Sequence, residues 1–316
     1  MRNMVQPLRP SPLRRGDQVR ILSLASPVQA DRLQKGCDEL SALGYRAKFD
    51  RDRVLAQDSF FAGSPADRLA ALRQALDEPE TRAIFCSRGG YGSNYLLECL
   101  SPLTTQPKIL LGASDITSLE IFLWQKFGWV TFYGPMVATN FDGGAGGVHG
   151  YDRTSLLAAL TETERGWDID LQAESLAGGT SEGVLLGGCL TLVESTLGSP
   201  WELDTAGAIL VLEDRSMKPY QVDRALMHLK QAGKLRDIVG IVLGDFPECD
   251  PPARGETVRD IARRILGPLA VPIVWGAPIG HTSRPMLTLP LGIGARLSSA
   301  GAGRLTMLEP ACAPWA

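Results

Sequence analysis

The sequence predicts an α/β protein of more than one domain, with a parallel sheet covered by helices on both faces. Three observations predict it. The chain has 316 residues, and single cores rarely grow beyond about 250–300 residues. Short apolar runs alternate with stretches of helical periodicity. Glycine and serine collect just after the apolar runs, where functional loops of parallel sheets gather.

Val19 to Ala25 reads as a buried strand ended by Ser26-Pro27. Ala30 to Leu43 reads as a helix, with Leu33, Cys37, Leu40 and Leu43 near helical spacing and Gly44 as its stop. Arg46 to Phe49 is a second short strand, and Ala66 to Leu76 a helix with Leu69, Leu72 and Leu76 on one face. Ala83 to Ser87 is a strand, Gly89-Gly90-Tyr91-Gly92 a tight turn, and Asn94 to Leu100 a helix. Ile109-Leu110-Leu111 is a strand that breaks at Gly112-Ala113-Ser114-Asp115 into a helix carrying Leu119, Phe122, Leu123 and Phe127 on one side. Val130 to Tyr133 follows as a strand. Phe141 to Gly150 is a glycine-rich breaker that reads as a linker or mobile loop, dividing the chain into residues 1–150 and 151–316.

Elements resume after about Leu171. Gly183 to Gly188 is a strand and turn, followed by a helix from Leu190 to Leu197. Ala208 to Asp214 is a strand with two carboxylates at its end, and Tyr220 to Ala232 a helix. Ile238 to Gly244 is a strand, Thr257 to Leu266 a helix and Val271 to Gly276 a strand leading to Gly280-His281. Leu287–Leu291, Gly294–Leu297 and Arg304–Leu308 read as short closing strands.

Composition excludes several classes. A net charge of −3 gives no footprint for nucleic acid. Arg2, Arg9, Arg14 and Arg15 are not followed by the apolar core of a signal peptide. No uncharged apolar run reaches about 18 residues, so no membrane span is expected. The six cysteines form no CxxC pair, which suits reduced thiols in the cytosol. Without an HExxH or paired Cys/His spacing, neither a metal nor another cofactor is expected. Gly89–Gly92 lacks the spacing of a dinucleotide loop and the Lys-Ser/Thr of a P-loop; it suits an oxyanion-binding turn equally well.

Ser114 and His281 each follow an apolar strand, and Glu213 closes one. A hydroxyl needs a base to attack near neutral pH; imidazole has the right pKa, and a carboxylate fixes its tautomer. The strand–serine–helix break resembles a nucleophile elbow, although a serine helix cap would look the same. Glu213 and Asp214 point to opposite faces of an extended segment, so one is free for function and the other for pairing with Arg215 or Arg224. His149 sits in the glycine-rich loop and reads as a solvated residue, and His228 lies within a helix as a surface or packing residue.

Several ordered motifs together resemble the LD-carboxypeptidase family of serine peptidases, which includes muramoyltetrapeptide carboxypeptidases and microcin C self-immunity proteins. They are Ser87-Arg88-Gly89-Gly90-Tyr91-Gly92-Ser93, Gly112-Ala113-Ser114-Asp115, Gly187-Gly188-Cys189-Leu190, Leu212-Glu213-Asp214 and Gly280-His281, with Leu289-Pro290-Leu291-Gly292. The resemblance runs from about Leu13 to about Leu297. It implies a Rossmann-like N-terminal parallel-sheet domain and a C-terminal α/β domain with its own sheet, with the site between them in a homodimer. It also implies Ser114 as nucleophile, His281 as base, Glu213 as its orienting carboxylate, and the N–H groups of Gly90 and Asp115 as the oxyanion hole. Ala113 stands where an aromatic residue is common, Cys189 where an asparagine is common, and Arg215 to Lys218 where murein-processing members often carry another acid.

The expected activity is hydrolysis of the L,D-amide bond before a C-terminal D-alanine in a murein-derived tetrapeptide, in the cytosol. Arg88 is the candidate for the substrate carboxylate, with a structural ion pair as its other explanation. A self-immunity amidase acting on an aminoacyl-adenylate would need an aromatic platform, for which Trp201, Tyr220 and Trp275 are the candidates. A non-catalytic small-ligand-binding protein would have no need of the Ser/Glu/His set.

Overall fold

The computed structural model describes residues 6–101, 103, 106–250 and 255–314, so Arg2 of the basic N-terminal group lies outside the described residues. The first half of the chain supplies strands β1 (Gln18–Leu22), β2 (Arg46–Lys48), β3 (Thr81–Cys86), β4 (Ile109–Gly112) and β5 (Thr131–Tyr133). The second supplies β6 (Asp168–Asp170), β7 (Glu174–Ala177), β8 (Thr180–Cys189), β9 (Ala208–Glu213), β10 (Gly240–Gly244), β11 (Ile273–Ala277), β12 (Leu289–Leu291), β13 (Gly294–Ser298) and β14 (Arg304–Met307).

Two sheets result. The first has the order β12-β5-β4-β3-β1-β2 and is parallel except for β12. The second has the order β6-β14-β13-β8-β9-β10-β11-β7, parallel from β8 to β11 and antiparallel on either side. The mixed α/β architecture expected from the alternating pattern is therefore present. β12 comes late in the chain yet pairs with β5, so the C-terminal half completes the first sheet. Pro290 sits within β12, which tolerates it because an edge strand can do without one ladder donor.

Strand periodicity sets the packing. Along β9, Ile209 and Val211 face one apolar cluster while Ala208, Leu210 and Leu212 face another. The first cluster runs from Leu24, Phe85 and Leu111 of the first sheet region through to Leu185, Leu297 and Leu305 of the second. The other lies under the helices Pro219–Gln231 and Val258–Leu266. The helix Thr117–Phe127 joins both clusters, through Leu119, Phe122 and Leu123 on one side and Ile121 and Trp124 on the other. Every residue from Thr117 to Trp124 is buried, whereas the sequence pattern predicts one apolar face. The second half of the chain covers the rest of it: Gly292 lies against the Trp124 ring, and the Cys189 N–H donates to Thr117 Oγ1 at 3.1 Å.

Several elements fall outside the sequence reading, among them the short helix Arg51–Val54, capped by Asp50. The helix Arg153–Thr161 was signalled by Asp152, whose carboxylate caps the Ser155 N–H at 2.6 Å. β6 and β7 are edge strands; β6 buries one residue and β7 buries none, so neither shows the apolar alternation that marks a strand. The loop Phe141 to Gly150 is held rather than free, since the His149 N–H donates to the Ser283 carbonyl at 3.0 Å and Phe141 is buried against Tyr151. No described helix is long and apolar enough to cross a membrane.

Leu289 is fully buried at the seam between β12 and β5. Leu289→Ala is expected to cost about 2–5 kcal/mol through lost transfer energy and a residual cavity, read as a lower urea midpoint with an unchanged slope.

Candidate active site

β4 ends at Gly112, and Ala113 is extended. Ser114 then adopts φ +60°, a left-handed conformation that a non-glycine residue rarely takes. A short 3-10 turn, Ser114–Ile116, leads into the helix Thr117–Phe127. This strained strand-to-helix turn has the geometry of a nucleophile elbow. The Ser114 N–H faces Tyr133 Oη at 3.3 Å, and Ser114 Oγ has no hydrogen-bond partner among the described residues.

The glycine turn after β3 lies directly on this serine. A Cβ on Gly89 would stand 2.7 Å from Ser114 Cβ, so only glycine allows the approach. Ser26 braces the turn: its N–H donates to the Gly89 carbonyl at 3.3 Å and its Oγ accepts the Tyr91 N–H at 3.1 Å. The Gly90 N–H has no acceptor among the described residues, and that of Asp115 lies in a first helical turn, where no intrahelical acceptor exists. Asp115 also binds the two turns together. Its Oδ2 accepts the Ser93 N–H at 2.7 Å, and its carbonyl accepts the Ser93 hydroxyl at 2.6 Å. Burial raises its carboxyl above the usual value, against the pull of those bonds and of Arg68.

Glu213 closes β9 with no exposed surface. Its Oε2 accepts both the backbone N–H of His281 and the ring Nδ1–H, each at 2.8 Å. The acceptor fixes the tautomer: Nδ1 carries the proton and Nε2 is left as the basic nitrogen. Its Oε1 accepts the Tyr133 hydroxyl at 2.5 Å. Burial opposes a charge on Glu213, but His281, by charge and hydrogen bonds, and Tyr133 outweigh it and hold the carboxyl below its ordinary value. Burial likewise lowers His281, and Glu213 outweighs it, so the imidazole lies above its ordinary value. Tyr133 is pushed well above the usual phenol by burial and by Glu213, which keeps its proton available for donation.

The structure thus brings Ser114, Glu213 and His281 into one network, with Tyr133 Oη touching both the serine backbone and the carboxylate. Tyr133 was absent from the sequence candidates; its only signal is its place at the end of a short strand before Gly134. The loop bearing His281 is anchored as well. Asp245, after β10, accepts Thr282 Oγ1–H at 2.5 Å and Arg284 Nη2–H at 2.6 Å, and Arg284 also reaches the Gly276 carbonyl.

Asp214 faces away from this network. Its Oδ2 accepts the Thr191 N–H at 2.8 Å and the Thr191 hydroxyl at 2.7 Å, and its Oδ1 accepts the Arg215 backbone N–H at 2.8 Å. The Arg215 guanidinium goes to Glu248. Arg88 pairs with no carboxylate among the described residues; its Nη1 donates to the Pro27 carbonyl at 3.2 Å and its Nε is unpartnered. Burial, then the nearby charges of Arg32 and Arg215, lower its guanidinium from its ordinary value. A cationic group with two cationic neighbours and no counterion suits an anionic ligand. His149 is exposed, with Nδ1 3.3 Å from the Thr282 carbonyl, and His228 is exposed and pairs with Glu194 at 2.9 Å. Trp201 packs against Phe122 and Trp275 stacks on Phe246, while Tyr220 is exposed.

Residues 19–134 match the LD-carboxypeptidase N-terminal domain, and residues 182–297 match the C-terminal domain. A probable murein peptide carboxypeptidase of Bacillus subtilis is 35% identical over 297 residues, covering 92% of each chain. The crystal structure of a muramoyltetrapeptide carboxypeptidase from Oxalobacter formigenes superposes with a TM-score of 0.80 at 29% identity, covering 92% of this chain and 99% of that one. The microcin C7 self-immunity protein MccF, solved with aspartyl sulfamoyl adenosine, has the same fold at a TM-score of 0.86 and 23% identity, covering 97% of this chain and 100% of that one. The resemblance carried by the ordered motifs thus extends over nearly the whole chain, which belongs to the LD-carboxypeptidase family.

Proposed function

We propose that the protein is a serine carboxypeptidase that removes the C-terminal D-alanine from a murein-derived tetrapeptide by cutting its L,D-amide bond. The observation that carries the reading is the buried Glu213–His281 pair, joined through Tyr133 to the left-handed turn of Ser114. The names of the relatives supply the substrate class. The free cysteines suit a reducing compartment, and we assign the reaction to the cytosol.

Ser114 Oγ attacks the scissile carbonyl as His281 Nε2 takes its proton. Glu213 holds the imidazole and stabilises the imidazolium that forms. The N–H groups of Gly90 and Asp115 receive the oxyanion. His281 then protonates the leaving D-alanine, and a water activated by the same nitrogen releases the acyl group. Arg88 receives the free C-terminal carboxylate, a contact worth more than a neutral hydrogen bond because both partners are charged.

Three tests follow. Ser114→Ala is expected to lower D-alanine release from murein tetrapeptide by about 10³-fold or more, read by mass detection of the free amino acid. Equal release by both proteins removes Ser114 as nucleophile, and cleavage of an acyl-adenylate in its place would favour the immunity reading. The rate is expected to rise with pH as His281 loses its proton. Because Glu213 raises the imidazole, Glu213→Gln moves this acid limb to lower pH while the plateau falls by about 10⁴-fold; a limb that stays in place removes Glu213 as its partner. Arg88→Gln is expected to lower kcat/KM for the free tetrapeptide by about tenfold or more. It should leave residual cleavage of the C-terminally amidated peptide unchanged, and an equal loss on both peptides would show that Arg88 is only structural.

A further inference from the structure

Tyr133 is the one donor to Glu213 Oε1 among the described residues, at 2.5 Å. The same phenol oxygen accepts the Ser114 N–H at 3.3 Å. The hydroxyl therefore spans the seam of the molecule: Tyr133 ends β5 of the first sheet, and Glu213 ends β9 of the second. It touches none of the atoms between which the proposed reaction makes or breaks a bond.

The ring has little freedom to move. Tyr133 has no exposed surface. A Cβ on Gly188, near the end of β8, would stand 3.2 Å from Tyr133 Cε2 and 2.7 Å from Thr117 Cγ2. The backbone of β8 thus lies directly on the ring edge and on the first turn of the helix behind Ser114. With the ring clamped there, the hydroxyl sets the separation between the Glu213 carboxylate and the Ser114 turn.

The bond also has an electrical effect on the imidazole. Tyr133 donates to Oε1 and His281 Nδ1–H to Oε2, so two donors share one carboxylate charge. A phenol donates most strongly to a carboxylate that faces a neutral imidazole. It donates less strongly once a protonated imidazole offsets that charge. The bond thus favours the neutral imidazole, the form that takes a proton from serine. The other titratable groups around the pair are Asp214, Arg215 and Glu248 near His281, and Cys189 near Tyr133.

We propose that Tyr133 is a positioning residue for the hydrolysis: its hydroxyl holds the Glu213 carboxylate and the Ser114 turn in one register and tempers the pull of Glu213 on His281. The role in hydrolysis rests on the serine-carboxypeptidase reading. The effect on His281 does not, and it is read without substrate.

Nitrogen-15 NMR of the three histidines tests the assignment, with the His281 signal identified by its loss in His281→Asn. In Tyr133→Phe, His281 should titrate higher by about half a pH unit or more, opposite in direction to Glu213→Gln. A fluorine on the Tyr133 ring makes the phenol a stronger donor and should move the titration lower. That form keeps the hydroxyl, and it decides the matter if circular dichroism shows Tyr133→Phe unfolded. In a Glu213→Gln background, Tyr133→Phe should produce a smaller shift, because the charge it acts on is gone. Tyr151→Phe removes another buried phenol, one that donates to Glu39, and should leave His281 where it is. With murein tetrapeptide, Tyr133→Phe should lower kcat by about tenfold or more at unchanged KM, and its acid limb should follow His281 upward. The proposal is overturned by an unmoved or lowered His281 titration in Tyr133→Phe, by an equal shift in Tyr151→Phe, or by a loss carried by KM alone. Absence of turnover by the unsubstituted protein, with the His281 shifts as expected, would remove the hydrolytic reading and support the effect of Tyr133 on the pair.

Discussion

The buried carboxylate of Glu213 is the constraint on which the rest depends. A charge with no exposed surface is tolerated only if its oxygens are fully engaged. Its donors come from separate parts of the chain: Tyr133 from β5 of the first sheet, and His281 from the loop after β11 of the second. The two sheets must therefore pack correctly before the charge can be buried, which makes assembly of the site and packing of the two halves a single condition. Space there is tight. Gly280 takes φ +57°, and a Cβ on it would lie 2.2 Å from Glu213 Cδ.

The helix behind Ser114 meets the same condition from the other side. A helix at the edge of a domain shows one apolar stripe; this one is buried all round because the second half of the chain closes over Ile121 and Trp124. Its fixed position matters because the turn before it holds Ser114 at positive φ. Such a conformation costs of order 1–3 kcal/mol and persists only where the surroundings impose it. The contacts of Ser93 with Asp115 and of Gly89 with Ser114 supply that restraint.

Much of this was legible in the sequence, for physical reasons. Buried parallel strands such as β3, β4 and β9 are continuous apolar runs, and the residues that follow them stand in loops where side chains can converge. Ser114 and His281 occupy such positions, and Glu213 is the last residue of β9. What was not legible is what depends on three-dimensional neighbours. The phenol of Tyr133 looks like any aromatic strand residue until the second sheet brings Glu213 against it. The pairing of β12 with β5 joins residues about half the chain apart, and no local pattern encodes such a partner. The edge strands β6 and β7 bury too little to announce themselves.

The adjacent carboxylates Glu213 and Asp214 show how local geometry separates two like groups. Strand alternation turns them to opposite faces. Glu213 meets a cationic partner and is held below its ordinary value, whereas Asp214 meets only neutral donors and is raised by burial. Asp214 in turn serves the backbone: the helix Leu190–Ser195 has no side-chain cap from Cys189, and Asp214 supplies the acceptor for the Thr191 N–H from a neighbouring strand. Cys189 can thus stay buried, its thiol 3.5 Å from Asp214. One carboxylate secures the start of a helix, and the other is left to face the imidazole.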